Sequence, residues 1–116
     1  MLNDHECELL AGFFSLFANR TRLRILCVLR EKPATVSELA EQVGVSLQNM
    51  SQHLRLMREK GLVLTQREGQ HVVYRLADPR IVQAAALLRE VVADLLKSRY
   101  LATEADEARI PDTPVT

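Results

Sequence analysis

The sequence predicts one mainly α-helical domain that carries a two-stranded β-hairpin, an α+β fold with the element order ααααββα. Its 116 residues are enough for a single hydrophobic core but not for two domains. Apolar residues recur at intervals of three and four along several segments, as they do in amphipathic helices. Two short runs rich in β-branched and aromatic residues flank Gly69-Gln70, a composition suited to a tight hairpin turn.

The first two helices are expected on either side of a polar break at Asn19. The first helix covers about residues 4–18 and has an apolar seam at helical spacing. That seam consists of Cys7, Leu10, Phe14 and Phe17. Asn19 is a favoured N-cap residue for the second helix, which is expected to end at Pro33 because proline does not continue a helix.

A shorter pair of helices, joined by a tight turn, is predicted next. Thr35 precedes Glu38 by three residues, which is the spacing of a capping box, and Gly44 ends the short helix that follows. Ser46 is the expected N-cap of the second helix of the pair, which ends at Gly61. The apolar inner face of this second helix is predicted to consist of Leu47, Met50, Leu54 and Met57.

The hairpin is predicted from residues 62–68 and 71–76, and a last helix follows it. This helix is expected to begin with Asp78-Pro79, an N-cap residue followed by proline at the first helical position. We expect the folded domain to cover residues 1–100. The remaining residues, 101–116, are acidic and lack an apolar period, so the sequence predicts a disordered tail.

This order of elements is that of a winged helix-turn-helix, in which the second helix of the short pair enters the DNA major groove and the hairpin is the wing. Amide, hydroxyl and guanidinium groups match the donors and acceptors on base edges. The candidates on the outward face of that helix are Gln48, Asn49, Ser51, Gln52 and Arg55. At the hairpin tip, Arg67, Gln70 and His71 are candidates for contacts with phosphates or the minor groove. His53 is expected either to pack locally or to donate to a phosphate. For the outward face of the helix as a whole, the alternative interpretation is a polar surface that only contacts water.

The charge is unevenly distributed, although the net charge of the chain is zero. Residues 20–80 carry eleven Lys and Arg against six Asp and Glu, whereas residues 1–19 carry three acidic residues and no Lys or Arg. A phosphate backbone responds to a local basic patch rather than to the total charge. The distribution is therefore compatible with DNA as a partner.

Residues 35–76, TVSELAEQVGVSLQNMSQHLRLMREKGLVLTQREGQHVVYRL, resemble the core of the ArsR/SmtB family of bacterial transcriptional repressors. The most specific parts are SLQNMSQHLRLMREKGLV, which is similar to the recognition helix of that family, and the REGQ and VVYRL segments of the wing. The segment ANRTRLRILCVL fits the second helix of the family. In all, the resemblance covers about residues 9–100. The resemblance implies a homodimer that pairs through its first and last helices, occupies a dyad operator in double-stranded DNA and releases it when an inducer binds.

A homodimer is also expected on physical grounds, because one recognition helix reads only a few base pairs. The first and last helices offer more apolar surface than a monomer of this size normally exposes. The predicted interface residues are Leu10, Phe13, Phe14, Phe17, Ile81, Leu88, Val92 and Leu95.

The metal-ligand positions that the resemblance implies are largely missing. The cysteine-bearing pattern of metalloid sensors is replaced in the third helix by Ser37-Glu38-Leu39-Ala40. The zinc position at the start of the last helix reads Asp78-Pro79-Arg80, and no histidine follows His71. We therefore expect no metal site and no cofactor, and a metal- or metalloid-responsive repressor is the alternative.

The two cysteines are candidates for a thiol sensor. Cys27 matches the position of a reactive cysteine in the redox- and persulfide-responsive members that the sequence resembles, but Ala93 stands about where its partner would be. A pair of Cys7 with Cys27 would need their Cα atoms within about 7 Å. Two further interpretations stay open: both thiols are small apolar core residues, or Cys7 binds a metal with His5, Glu6 or Glu8.

Other functional classes have little support in the sequence. It contains no Gly-rich phosphate loop, no Cys-x-x-Cys and no Gly-x-Ser-x-Gly, so we do not expect an enzyme. No apolar stretch is long enough for a membrane span, and the acidic N-terminus is unlike a secretory signal, so a cytoplasmic protein is expected. The sequence predicts a DNA-binding repressor with an unnamed inducer, and a winged-helix protein-interaction module without DNA binding is the alternative.

Overall fold

The computed structural model describes the backbone of residues 1–105 and the side chains of residues 1–99. The helices are α1 (Asp4–Phe17), α2 (Arg20–Glu31), α3 (Val36–Val43), α4 (Leu47–Glu59) and α5 (Arg80–Ala105). The strands are β1 (Ala34–Thr35), β2 (Val63–Glu68) and β3 (His71–Leu76). The predicted order of five helices with a hairpin between the last two is confirmed.

The strands form one antiparallel sheet in the order β1-β3-β2. In the hairpin, Glu68 pairs with His71, which confirms the two-residue turn at Gly69-Gln70. Gly69 has a φ of 63°, a conformation that glycine adopts without steric penalty. The short β1, which pairs Ala34 with Tyr74, was not predicted because two residues are too few to show a period.

Side-chain caps fix where the short helices begin. Thr35 accepts a hydrogen bond from the Glu38 backbone N–H at 3.2 Å, and the Glu38 carboxylate accepts one from the Thr35 backbone N–H at 2.9 Å. Ser46 Oγ accepts from the backbone N–H of Asn49 at 3.0 Å. Gly44 ends α3 in the left-handed region with a φ of 81°. The predicted turn between α3 and α4 is therefore confirmed.

The core of residues 1–79 is apolar and holds α4 from one side. Its largest fully buried side chains are Ile25, Leu39, Met50, Leu54, Met57 and Val63. Burying each of them contributes about 1.5–3 kcal/mol to the stability of the fold. The prediction that Leu47 belongs to this inner face is wrong, because Leu47 is the first residue of α4 and is 56% exposed.

Helix α5 forms a unit separate from residues 1–79 and is described by itself. It continues to Ala105, so its end lies beyond the predicted domain end at residue 100. The remainder of the predicted tail, residues 106–116, lies outside the described residues. None of the described helices combines the length and the apolar character that a membrane span requires.

Candidate nucleic-acid interface

The outward face of α4 is polar from Gln48 onward, after the exposed Leu47. With Met50, Leu54 and Met57 buried, the opposite side of the helix lies in solvent. All five residues predicted to face a major groove are exposed: Gln48, Asn49, Ser51, Gln52 and Arg55. Four of them, Asn49 being the exception, recur at intervals of three or four, so they share one stripe of the helix surface.

His53 lies beside a guanidinium instead of pointing freely outward. It is half-buried, and its Nδ1 lies 3.4 Å from Nη1 of Arg22. Burial lowers the pKa of His53 below its ordinary value of 6.5, and the positive charge of Arg22 lowers it further. The imidazole is therefore mainly neutral at neutral pH, which favours the local-packing alternative, while a phosphate contact by His53 stays a prediction.

Arg22 has a structural role that the sequence pattern did not indicate. Its Nε donates to the carbonyl oxygen of Leu16 at 2.6 Å, and its Nη2 donates to that of Ser15 at 3.3 Å. These carbonyls lie in the last turn of α1, where intrahelical donors are missing. One guanidinium thus joins the end of α1, the start of α2 and His53 of α4, residues far apart in the sequence.

The three candidate residues of the wing do not share one surface. Arg67, Gln70 and His71 are all exposed. Arg67 pairs with Val72, and Glu68 pairs with His71, so Arg67 and His71 point to opposite faces of the hairpin. The hydrogen bonds with Thr35 lower the pKa of Glu38, and the nearby Lys32 lowers it further.

A cleft separates the C-terminal half of α4 from β3. Its volume is about 350 Å³, and it is lined by Ser51, Arg55, Arg58, Glu59 and Tyr74. Arg58 and Tyr74 were not among the candidates from the sequence. Arg58 has no distinctive spacing, and Tyr74 approaches α4 only because the chain folds back at the hairpin. Tyr74 lies on the same sheet face as Val72 and therefore as Arg67.

Exposed apolar side chains concentrate on α1 and on α5. On α1, Phe13 and Phe14 are exposed, the latter by 62%, whereas Leu10 and Phe17 are half-buried. On α5, Leu88 and Leu95 are exposed by 58% and 62%, and Ile81 and Val92 are half-buried. On these two helices, the further exposed large apolar residues that were not predicted as interface residues are Leu9, Leu87, Val91 and Leu96.

Both cysteines are free and exposed in the protomer. The interpretation of Cys7 and Cys27 as buried core residues is therefore wrong. Cys7 lies on the first half of α1, which contributes no buried residue, and Cys27 lies on the side of α2 opposite the buried Ile25 and Leu29. Among the described residues, no group of three or more His, Cys, Asp or Glu is arranged to hold a metal ion. The residues at the positions of the family's zinc site also do not fit, since Pro79 and Arg80 offer no metal-binding nitrogen or thiolate.

Comparisons with known proteins agree with this geometry. A family model described as a helix-turn-helix domain matches residues 17–66. The uncharacterized HTH-type transcriptional regulator Rv0081 of Mycobacterium tuberculosis is 37% identical over 98 residues, which are 84% of this chain and 86% of that protein. Its crystal structure matches with a TM-score of 0.75 and covers 80% of this chain and 94% of that chain.

Two further similar proteins place the fold in a family. The homodimeric winged helix-turn-helix DNA-binding domain of a possible ArsR-family transcriptional regulator from Mycobacterium bovis has a TM-score of 0.72 at 28% identity, covering 84% of this chain and 93% of that chain. The transcriptional repressor SmtB homolog of Synechocystis is 36% identical over 93 residues, which are 80% of this chain and 68% of that protein. Together with the polar stripe of α4 and the wing, these similarities show that the chain belongs to the ArsR/SmtB family of winged helix-turn-helix transcriptional regulators.

Proposed function

We propose that the protein represses transcription by occupying a dyad operator as a homodimer, with α4 in the major groove and the wing beside the adjacent backbone. The observation that carries this proposal is the division of α4 into two faces. Three buried apolar residues hold the helix rigidly on the core, and its opposite stripe presents amide, hydroxyl and guanidinium groups. A reading helix needs both properties, because base-edge hydrogen bonds are directional and require a fixed support.

Gln48, Ser51 and Gln52 are the proposed base-reading residues. Their side chains are exposed and carry donors and acceptors that complement base edges in the major groove. Asn49 and Arg55 flank this group, and Arg55 also lines the cleft beside β3. The abundance of uncharged polar groups supports base readout, because a purely solvated helix face usually carries Lys and Glu.

Arg67 is the proposed phosphate contact of the wing. It is exposed on β2, one residue before the end of that strand, and has no ion-pair partner among the described residues. Gln70, at the turn itself, is placed to approach the minor groove, and His71 on the opposite face is proposed to contact a neighbouring phosphate.

We propose that the dimer forms through the apolar surfaces of α1 and α5. Each of the two helices, taken by itself, exposes several leucines or phenylalanines, and burying such side chains against a partner is favourable. The related domain from Mycobacterium bovis is homodimeric. A second protomer also supplies the second reading helix that a dyad operator requires.

An inducer would act by changing how often the two α4 helices have the spacing that DNA requires. A coupling free energy of about 1–3 kcal/mol would change the operator affinity roughly 5- to 150-fold. The proposed inducer is an oxidant or persulfide that acts on Cys7 and Cys27; it is supported by the exposure of Cys27 on α2, outside the proposed dimer helices, and a metal ion is the alternative inducer. We propose no catalytic role and no resident cofactor, and a cytoplasmic location beside the chromosome.

A selection experiment followed by a salt titration tests the proposal. Duplexes bound by the wild type are selected from a random-sequence library, and the affinity for the selected duplex is measured by fluorescence anisotropy across a salt series. A DNA-binding dimer loses affinity steeply as salt rises, since it releases counterions from the phosphates that it neutralises. A protein-interaction module would select no sequence and bind no duplex.

Arg67→Ala sharpens this test. We expect it to weaken binding to the selected duplex and to a scrambled duplex equally, and to reduce the salt slope of the dimer by about 2, because each protomer loses one phosphate contact. Gln66→Ala, on the neighbouring position of the same strand, removes no charge and should leave the slope unchanged. If the slope of the Arg67 variant equals that of the wild type, the wing does not contact phosphate through this residue.

A further inference from the structure

The cleft between α4 and β3 brings two arginines and a tyrosine together. It is lined by Ser51, Arg55, Arg58, Glu59 and Tyr74, so the four residues besides the tyrosine carry charged or hydroxyl-bearing side chains, and its volume of about 350 Å³ is open to solvent. Pockets for organic ligands are mostly lined by hydrophobic and aromatic side chains and enclose the ligand. The cleft therefore does not suit an apolar effector.

Two guanidinium groups dominate the electrostatics of this cleft. Arg55 and Arg58 are three residues apart on α4, are exposed, and form no ion pair among the described residues. A guanidinium offers several donors in a planar fork, a geometry that matches phosphate oxygens. Tyr74 also lines the cleft, and its phenol hydroxyl is a neutral hydrogen-bond donor.

The position of the cleft indicates where its anion comes from. It shares Ser51 and Arg55 with the stripe on α4 that also carries Gln48 and Gln52. The face of β3 that carries Tyr74 continues, through the pairing of Arg67 with Val72, to the tip of the wing. A DNA strand that runs from a major groove occupied by α4 to the backbone beside the wing would pass this cleft with its phosphates.

We propose that the cleft binds one phosphate of the DNA backbone in each half-site, with Arg58 and the Tyr74 hydroxyl as its main donors and Arg55 beside them. This inference rests on the proposed DNA-binding function and adds residues that neither the sequence pattern nor the family match assigns. Such a contact positions α4 in the groove without reading sequence. It would fix the distance between the reading helix and the wing on each half of the operator.

Among the described residues, Glu59 is the one acidic residue that lines this cleft. Its negative charge would repel a phosphate and so oppose the two arginines. Removing this charge should therefore strengthen DNA binding, whereas removing the charge of Arg58 should weaken it. Opposite effects from neighbouring residues of one helix are not expected from a general loss of folding.

The test uses the full chain and the duplex obtained by selection, with anisotropy titrations across a salt series. Arg58→Gln should bind roughly tenfold more weakly, and the salt slope of the dimer should fall by about 2. Tyr74→Phe should weaken binding severalfold with an unchanged slope, because it removes a neutral donor and keeps the ring. Glu59→Gln should tighten binding severalfold. The control is Arg30→Gln, which removes the same charge from α2, where Arg30 pairs with Glu31 at 2.8 Å, and should leave the slope unchanged.

A methylphosphonate scan locates the contact on the DNA. Replacing single phosphates by neutral methylphosphonates should reveal one position per half-site that weakens the wild type and does not weaken Arg58→Gln further. If Arg58→Gln keeps the wild-type affinity and slope while the wild type binds DNA with a steep salt dependence, the phosphate cleft is refuted and the proposed function stands. If the wild type binds no duplex, both are refuted.

A last arm separates the DNA backbone from a free anion as the source of the phosphate. Inorganic phosphate is titrated into the isotope-labelled protein, and the backbone amide signals of residues 51–59 are followed by NMR. We expect only weak, non-saturating shifts, because an isolated anion lacks the neighbouring contacts that hold a duplex in place. Saturable binding of inorganic phosphate in the cleft that displaces DNA would overturn the assignment to the DNA backbone.

Discussion

Helices α1 and α4 are nearly equal in length, at 14 and 13 residues, but their exposed faces are of opposite character. Helix α4 buries three apolar residues and exposes a polar stripe, whereas α1 buries Leu16 and exposes Phe13 and Phe14. The exposed face indicates the partner: polar groups on a rigid support suit the edges of bases, and aromatic rings suit another protein surface. The difference supports the proposal that α4 binds DNA and that α1 binds a second protomer.

The largest effect is expected from reversing the character of the α1 surface. Phe14→Glu would place a charge in the dimer interface, which should cost about 3 kcal/mol or more and raise the dimer dissociation constant at least roughly 100-fold. Sedimentation equilibrium measures this, and circular dichroism confirms that the helices are intact. Leu47→Glu is the matched control, because Leu47 is an equally exposed apolar residue on α4. A Phe14 variant that still forms a tight dimer would exclude α1 from the interface.

The next effect concerns the polar stripe of α4. Gln52→Ala should lose about 1–3 kcal/mol of binding to the selected duplex, roughly 5- to 150-fold, and little of its binding to a scrambled duplex. Competition titrations of both duplexes measure the ratio. Gln42→Ala, which changes an exposed glutamine of α3, should not alter it. Equal losses on both duplexes would remove Gln52 from base readout.

A smaller effect is expected at His53 of α4, which is linked to the end of α1 through Arg22. Because its folded-state pKa is lowered below 6.5, the unfolded chain takes up a proton more readily than the folded chain as the pH falls. This contribution to stability is complete above pH 6.5 and is lost as the pH falls from there through the folded-state pKa. Urea denaturation at a series of pH values should show the decline in the wild type and a flatter profile in His53→Gln. Identical profiles for the two proteins would mean that His53 is as solvated in the folded state as in the unfolded chain.

The smallest effect is expected from the cysteines. Because both thiols are exposed, Cys7→Ser and Cys27→Ser should each change the free energy of unfolding by no more than about 0.5 kcal/mol. Denaturation of the reduced proteins in urea measures this change. A decrease in the free energy of unfolding of about 2 kcal/mol or more would mean that the thiol is buried and packed, as expected for truncating an apolar core contact.

The features predictable from the sequence are those that depend on neighbouring residues. The capping box of Thr35 and Glu38, the turn at Gly44 and the hairpin at Gly69-Gln70 need only a few consecutive residues, and all three are confirmed. The apolar period of α4 also indicated which side would be buried. The exposure of Leu47 was missed because the period says nothing about where the core ends along a helix.

The features that the sequence did not reveal depend on residues far apart in the chain. Arg22 contacts carbonyls of α1 and lies beside His53, 31 positions later, and no local pattern marks such a contact. The cleft joins Arg58 to Tyr74 only because the hairpin returns beside α4. Arginines and tyrosines on a surface have no period to distinguish them, so their shared space is visible only in three dimensions.

The assignment of α4 to DNA and of α1 to a second protomer is tested most directly by NMR of the isotope-labelled dimer titrated with the selected duplex. We predict that the largest changes in backbone amide signals fall on residues 48–59 and on the wing around residues 67–71, with the signals of residues 7–14 nearly unchanged. Large changes on α1 with α4 unaffected would contradict the account, since they would place the DNA on the apolar surface.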